Sequence, residues 1–149
     1  MSFPDNLRYT KDHEWVKQDK DNIFLVGITE YAQRELGDIV YVEVETIGKS
    51  MEAGEVFGTV EAVKTVSDLF LPVSGTITEL NPELAKAPDL VNSDPYGKGW
   101  MIKLKVNDPA QVAKLLDAAA YESWSDNQAG TIFTINTALD QRLHIVNRN

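Results

Sequence analysis

The chain has 149 residues, enough for one domain with its own hydrophobic core, since chains of this size bury about two thirds of the surface exposed when unfolded. Fourteen Lys and Arg against 23 Asp and Glu give a formal net charge of −9, a field that repels phosphate backbones and anionic membrane faces and so argues against nucleic-acid or membrane partners. Cysteine is absent, which excludes disulfides, thiol catalysis and cysteine metal sites, so any sulfur redox chemistry has to be imported.

The N-terminal stretch Met1-Ser2-Phe3-Pro4-Asp5-Asn6 lacks a basic segment followed by an apolar run, and no window approaches the ~18 apolar residues of a membrane span. A cytoplasmic protein is expected, or a matrix protein lacking its targeting segment. Short apolar runs punctuated by Gly, Pro, Asn and Asp fill residues 8 to 104, which predicts a mainly β fold with short helices.

Ile23-Phe24-Leu25-Val26-Gly27 is the expected first buried strand. Thr29 can cap a short helix through Leu36, with Ala32 and Leu36 on one face and Gly37 placed to end it. Ile39 to Glu45 and Val56 to Val63 are rich in branched and aromatic residues and are predicted strands. Leu69 to Val73 leads to Ser74-Gly75 and then to Thr76-Ile77-Thr78-Glu79-Leu80, where Ile77 and Leu80 do not fit one alternation, so a bulge or bend is expected. Residues Asn81 to Gly99 read as a loop. Trp100 to Val106, alternating from Ile102 onward, is the strand that closes the sheet.

Asp108-Pro109 is a strong helix start, because Asp accepts from free amides and Pro at the first turn orphans none. Val112, Leu115, Leu116 and Ala119 are the predicted packing stripe of that helix. From Asp126 onward two Arg offset two Asp, so all of the net charge lies upstream. This divides the chain into a domain over 1–125 and an appended extension over 126–149. Within the extension, Ile132 to Ile135 has strand character, and Thr137 to Val146 fits either a helix or a strand. An exposed strand there is a pairing edge, which predicts a tail-mediated dimer.

The segment that carries chemistry is Gly58 to Gly75, two apolar strands meeting around Lys64. A lysine in a turn is by itself a solvated charge. At a hairpin tip, however, its ammonium stands in water while the strands hold its backbone, so an enzyme can recognise the tip and acylate the amine.

Glu61-Ala62-Val63-Lys64-Thr65-Val66-Ser67-Asp68, followed by Pro72-Val73-Ser74-Gly75, resembles the lipoylation segment of glycine cleavage H proteins. The resemblance extends over residues 8 to 122, through Tyr9 to Val16 with its His13-Glu14-Trp15, Gly27-Ile28-Thr29, Ala32-Gln33, Leu36 to Val40 and Val91 to Trp100 with its Asn92-Ser93-Asp94-Pro95-Tyr96-Gly97. Biotin carriers usually flank the lysine with Met, and lipoyl domains of 2-oxoacid dehydrogenases typically set Asp before it and Ala after it; Val63 and Thr65 stand here. A non-catalytic interaction module using the same fold is the reading from a different class, marked by an unmodifiable Lys64.

The resemblance implies a flattened β-barrel of the lipoyl and biotinyl carrier type, a barrel-sandwich hybrid, with the lysine on a hairpin tip and a helix at the C-terminal end. It implies lipoate attached to Lys64 as an amide by a lipoate ligase or lipoyltransferase. The arm would take an aminomethyl group from the pyridoxal-phosphate glycine decarboxylase (P protein) and pass it to the tetrahydrofolate-dependent aminomethyltransferase (T protein). Dihydrolipoamide dehydrogenase (L protein) would then reoxidise it, making the chain a substrate of these enzymes rather than an enzyme. The cargo amine is cationic and prone to hydrolysis, so a shielding cleft needs a carboxylate near it; the resemblance puts Glu14 and Asp68 near the docked arm and gives Glu61 a part in recognition by the lipoylating enzyme. The acidic surface suits partners with basic docking faces. His13 and His144 are far apart in sequence, and no metal is expected. Trp15 and Trp100 are expected to pack, and Gly75 and Gly97 to serve turns.

Overall fold

The computed structural model describes residues 3–129. Among the described residues nine strands form two sheets: β1 (Arg8–Tyr9), β2 (Glu14–Lys20), β3 (Ile23–Ile28), β4 (Ile39–Glu43), β5 (Ser50–Met51), β6 (Val56–Ala62), β7 (Val66–Phe70), β8 (Gly75–Leu80) and β9 (Ile102–Val106). One sheet has the order β1-β2-β3-β9-β8-β5 and the other β4-β6-β7. Helices α1 (Glu30–Leu36), α2 (Leu90–Ser93), α3 (Ala110–Ala113) and α4 (Ala118–Ala129) and a 3₁₀ turn (Pro82–Ala85) connect or flank them.

The sheets are joined by one apolar core. Val16, Phe24, Val26, Ile28, Ile77, Ile102, Leu104 and Val106 from the larger sheet meet Ile39, Val42, Phe57, Val60 and Leu69 from the smaller. Alternation builds this directly: in β9, Ile102, Leu104 and Val106 are buried while Lys103 and Lys105 turn away. The irregularity expected near Ile77 is a bulge in which Thr78 is the extra residue, leaving Ile77 opposite Leu104 and Leu80 opposite Ile102. That single insertion lets both apolar side chains of a non-alternating run face core partners. The mainly β architecture with short helices is the one expected.

Helix α1 has the predicted cap and stop. The Thr29 hydroxyl accepts from Ala32 N–H, and Gly37, at φ 84°, ends the helix with its N–H donated to the Gln33 carbonyl.

Several expectations are corrected. The first buried strand is β2, whose Glu14, Trp15 and Val16 are all buried ahead of Ile23. β4 ends at Glu43, two residues early. Asn81 to Gly99 is no plain loop, since it holds the 3₁₀ turn and α2. β9 lies inside the sheet, paired to both β3 and β8. The helix begun at Asp108-Pro109 is broken: α3 stops at Ala113, because Leu116 exchanges both backbone hydrogen bonds with Tyr9 (2.8 and 3.0 Å) and α4 starts afresh with Asp117 Oδ1 accepting from Ala120 N–H at 2.8 Å. Leu115 therefore packs on the main core and Leu116 on a second one, while Ala119 is exposed. Gly75 opens β8 rather than serving a turn; a Cβ there would run into the Lys105 carbonyl oxygen.

The second core gathers Phe3, Leu7, Tyr9, Trp15, Ala118 and Tyr121 beneath α4. Tyr9 and Tyr121 stack at 4.8 Å between ring centres. Trp15 is wholly buried across from Gly27, where a Cβ would lie 2.6 Å from the indole, and Trp100 packs against this cluster, so both tryptophans pack as expected. The predicted Ile132 to Ile135 strand, the Thr137 to Val146 element, His144 and the tail-mediated dimer lie outside the described residues.

Candidate functional site

β6 and β7 pair as an antiparallel hairpin and leave Val63, Lys64 and Thr65 as its tip. Inside the tip, Ala62 N–H donates to the Thr65 carbonyl at 2.7 Å. Lys64 is exposed, and Val63 beside it is the most exposed large apolar residue of those described, at 75%. The tip rests on the junction between α1 and β4: Val63 N–H donates to the Asp38 carbonyl at 3.0 Å. The lysine stem crosses Gly37, where an added Cβ would stand 3.2 Å from Lys64 Cε. The glycine that ends α1 thus also leaves room for the Lys64 side chain.

That junction is itself held. Asn92 of α2 accepts from Ile39 N–H at 2.9 Å through Oδ1 and donates through Nδ2 to the Gly37 carbonyl at 2.9 Å and to Gln33 Oε1 at 2.8 Å.

Glu14 is 3% exposed, and its Oε2 accepts from Phe70 N–H at 2.9 Å, joining the start of β2 to the edge strand of the smaller sheet. Asp68 lies two residues before Phe70, so by strand alternation it shares that residue's face, the buried Ser67 and Leu69 taking the other. Partial burial pushes the Asp68 carboxyl above the ordinary aspartate range. The structure therefore brings Glu14 and Asp68 to one strand of the lysine hairpin. Glu61 is exposed on β6, paired across to Val66 on one side and Tyr41 on the other. Tyr41 is 51% and Val66 38% exposed, so the row is an apolar surface with a carboxylate at its centre. Two residues along β4, the Glu43 carboxyl is raised by the hydrogen bond that its protonated form donates to Glu45 and by the negative charges of Glu45 and Glu61.

Sequence reasoning missed a buried polar chain beside Glu14. His13, in the left-handed region at φ 66°, places Nδ1 2.7 Å from the Tyr121 hydroxyl, which lies 3.0 Å from Thr29 Oγ1. Tyr31 and Trp124 flank the imidazole at 4.7 and 5.2 Å between ring centres. Burial and Glu35 push the Tyr31 hydroxyl up to about 12. The sequence marked Thr29 as a cap and His13 as part of a motif, but nothing in it joined them to Tyr121. Among the described residues no group of three or more His, Asp or Glu is placed to hold a metal ion, and no described helix is long and apolar enough to cross a membrane.

The model of one protein family, described as Glycine cleavage H-protein, matches residues 7–128. The chain belongs to that family. It is 62% identical over 122 residues to a glycine cleavage system H protein of Chlorobium limicola, covering 81% of this chain and 95% of that one. A glycine cleavage system H protein of Bacteroides fragilis is 55% identical over 123 residues, covering 83% of this chain and 97% of the relative. The crystal structure of a glycine cleavage system H protein from Mycobacterium marinum matches with a TM-score of 0.74 at 37% identity, covering 83% of this chain and 99% of that chain.

Proposed function

We propose that the protein carries lipoate as an amide on Lys64 and shuttles the aminomethyl group of glycine from the pyridoxal-phosphate decarboxylase to the tetrahydrofolate-dependent aminomethyltransferase. Dihydrolipoamide dehydrogenase then returns the arm to its oxidised form. The chain is a substrate of these enzymes and of a lipoate ligase or lipoyltransferase, not itself an enzyme.

The observation that carries this reading is the placement of Lys64: an exposed amine at the tip of a two-strand hairpin, its stem lying over a residue without a Cβ and the neighbouring Val63 N–H donating to the Asp38 carbonyl. These residues fit an acylated arm, because the amine is open to an enzyme while its mount is held. The lipoyl group, when bound, supplies the dithiolane chemistry that a chain without cysteine cannot.

The protein's own residues position and shield. Glu14 and Asp68, at one strand of the hairpin, offset the desolvation of a cationic amine brought against that edge; a cation there would draw the raised Asp68 carboxyl back toward its ionised form. Glu61, set between Tyr41 and Val66, presents a charged mark flanked by apolar surface to the lipoylating enzyme. The net charge of −9 favours partners with basic docking faces, in the same aqueous compartment, and salt should weaken those encounters. On this reading residues 1–125 are the carrier domain and 126–149 an appended C-terminal extension.

The test is glycine-dependent exchange. With glycine decarboxylase, the lipoylated protein should support exchange of labelled bicarbonate into the glycine carboxyl, and Lys64→Arg should not. Full exchange by Lys64→Arg would refute the reading.

A further inference from the structure

Asn92 lies 28 positions beyond the lysine in sequence, on a helix of four residues, yet its side-chain amide is spent on the ground beneath Lys64. Oδ1 accepts from Ile39 N–H and Nδ2 donates to the Gly37 carbonyl, both at 2.9 Å, so one planar amide spans the two ends of the three-residue junction Gly37-Asp38-Ile39. The second Nδ2 hydrogen goes to Gln33 Oε1 at 2.8 Å, tying the junction to the body of α1. Between the two clamped residues, the Asp38 carbonyl receives Val63 N–H at 3.0 Å, and Gly37 underlies the lysine stem.

We propose that Asn92 is a positioning residue for Lys64: by clamping Gly37 and Ile39 it fixes the seat of the hairpin tip, so that the amine is presented in one orientation to the enzyme that acylates it. The proposal rests on the carrier reading of Lys64. In that acylation the free-base amine attacks the carbonyl of an activated lipoyl donor, such as an acyl adenylate. An amide C–N bond forms, the donor's leaving group departs with its electron pair, and the amine loses one proton to solvent. The step is sensitive to where the amine stands, since a misplacement of about 1 Å can cost on the order of 100-fold in rate. A tip three residues long has few contacts of its own, and its bond to Asp38 can orient it only if Asp38 is itself held.

A second asparagine supplies the control. Asn81, 1% exposed, donates through Nδ2 to the Lys98 and Trp100 carbonyls, both at 2.8 Å, and accepts from Glu83 N–H at 3.0 Å. None of these partners belongs to the lysine seat. Asn92→Asp and Asn81→Asp each keep an acceptor and replace two donated bonds by repulsion, so both variants should lose stability.

Only Asn92→Asp should loosen the seat. Amide hydrogen exchange at Val63 should quicken about tenfold relative to wild type, and kcat/KM for lipoylation of Lys64 by lipoate ligase should fall about tenfold, through KM, because the ligase must order the tip itself. Asn81→Asp should leave both values near wild type. Asn92→Ser, a milder change, should show the same pattern if Asn92→Asp does not fold. The proposal is overturned if Val63 exchange is the same in the Asn92 and Asn81 variants, or if the Asn92 variants are lipoylated with wild-type kcat/KM. Failure of the wild-type chain to be lipoylated would instead sink the carrier reading, while Val63 exchange would still decide whether Asn92 holds the tip.

Discussion

Glu14 Oε2 accepts a hydrogen bond of 2.9 Å from the backbone N–H of Phe70, so a carboxylate at the start of β2 is tied to the edge of the strand that follows Lys64. The residue therefore has a structural task and a charge that can be separated by substitution.

Glu14→Ala removes the bond and should cost about 2 kcal/mol, in the range for hydrogen bonds to charged groups. Glu14→Gln keeps an acceptor for Phe70 and should cost less, yet it should hasten loss of the aminomethyl cargo, because the compensating charge is gone. Urea unfolding of both variants, with the cargo half-life on the loaded protein, separates the two tasks. Equal half-lives for Glu14→Gln and wild type would remove Glu14 from the shielding role.

The Asp68 carboxyl is raised by burial, which fixes the sign of its contribution. The folded state holds this proton more tightly than the unfolded one, so stability from this group is fully present below its ordinary value of 3.8 and declines as pH rises through the higher folded value. Asp68→Asn should flatten that decline, and relative to wild type it should gain stability between acid and neutral pH. Unfolding midpoints at a series of pH values check this; a parallel shift at all pH values would contradict it.

Glu61, Tyr41 and Val66 form one row on the outer face of the smaller sheet. Glu61→Gln and Tyr41→Ala should each leave stability within about 0.5 kcal/mol, as exposed positions usually do. Each should lower kcat/KM for lipoylation about tenfold, the worth of one well-placed contact of 1.4 kcal/mol. Steady-state kinetics with lipoate ligase measure it, and unchanged kinetics in both would take recognition away from this row.

Tyr121→Phe deletes the hydroxyl that stands between His13 Nδ1 and Thr29 Oγ1 while keeping the ring stacked on Tyr9. The expected cost is about 1–2 kcal/mol, with faster amide exchange near the start of α1. Thermal unfolding and hydrogen exchange test this, and a neutral substitution would show that the ring alone holds α4.

Local signals were legible in the sequence. Thr29 and Gly37 bounded α1 because capping and left-handed termination depend on residues within a turn of each other. The alternation of β9 marked it as a strand, and the broken alternation at Ile77 and Leu80 of β8 marked a bulge or bend, since a side-chain period of two leaves a direct imprint. Lys64 stood out through its motif. Hidden from view were bonds between residues distant in the chain: Asn92 to Ile39 across 53 positions, His13 to Tyr121 across 108, and the Tyr9 to Leu116 bridge that breaks the expected C-terminal helix. Nothing in the composition near Asn92 or Leu116 announces those partners, because only the folded sheets bring them together.

The most direct test of the carrier reading is intact mass with peptide mapping after incubation with lipoate ligase, ATP and lipoate. The account predicts a single lipoyl-sized increment, located on the Lys64 peptide and absent from Lys64→Arg. No increment under conditions that modify an established H protein, or an increment on another lysine, would contradict it.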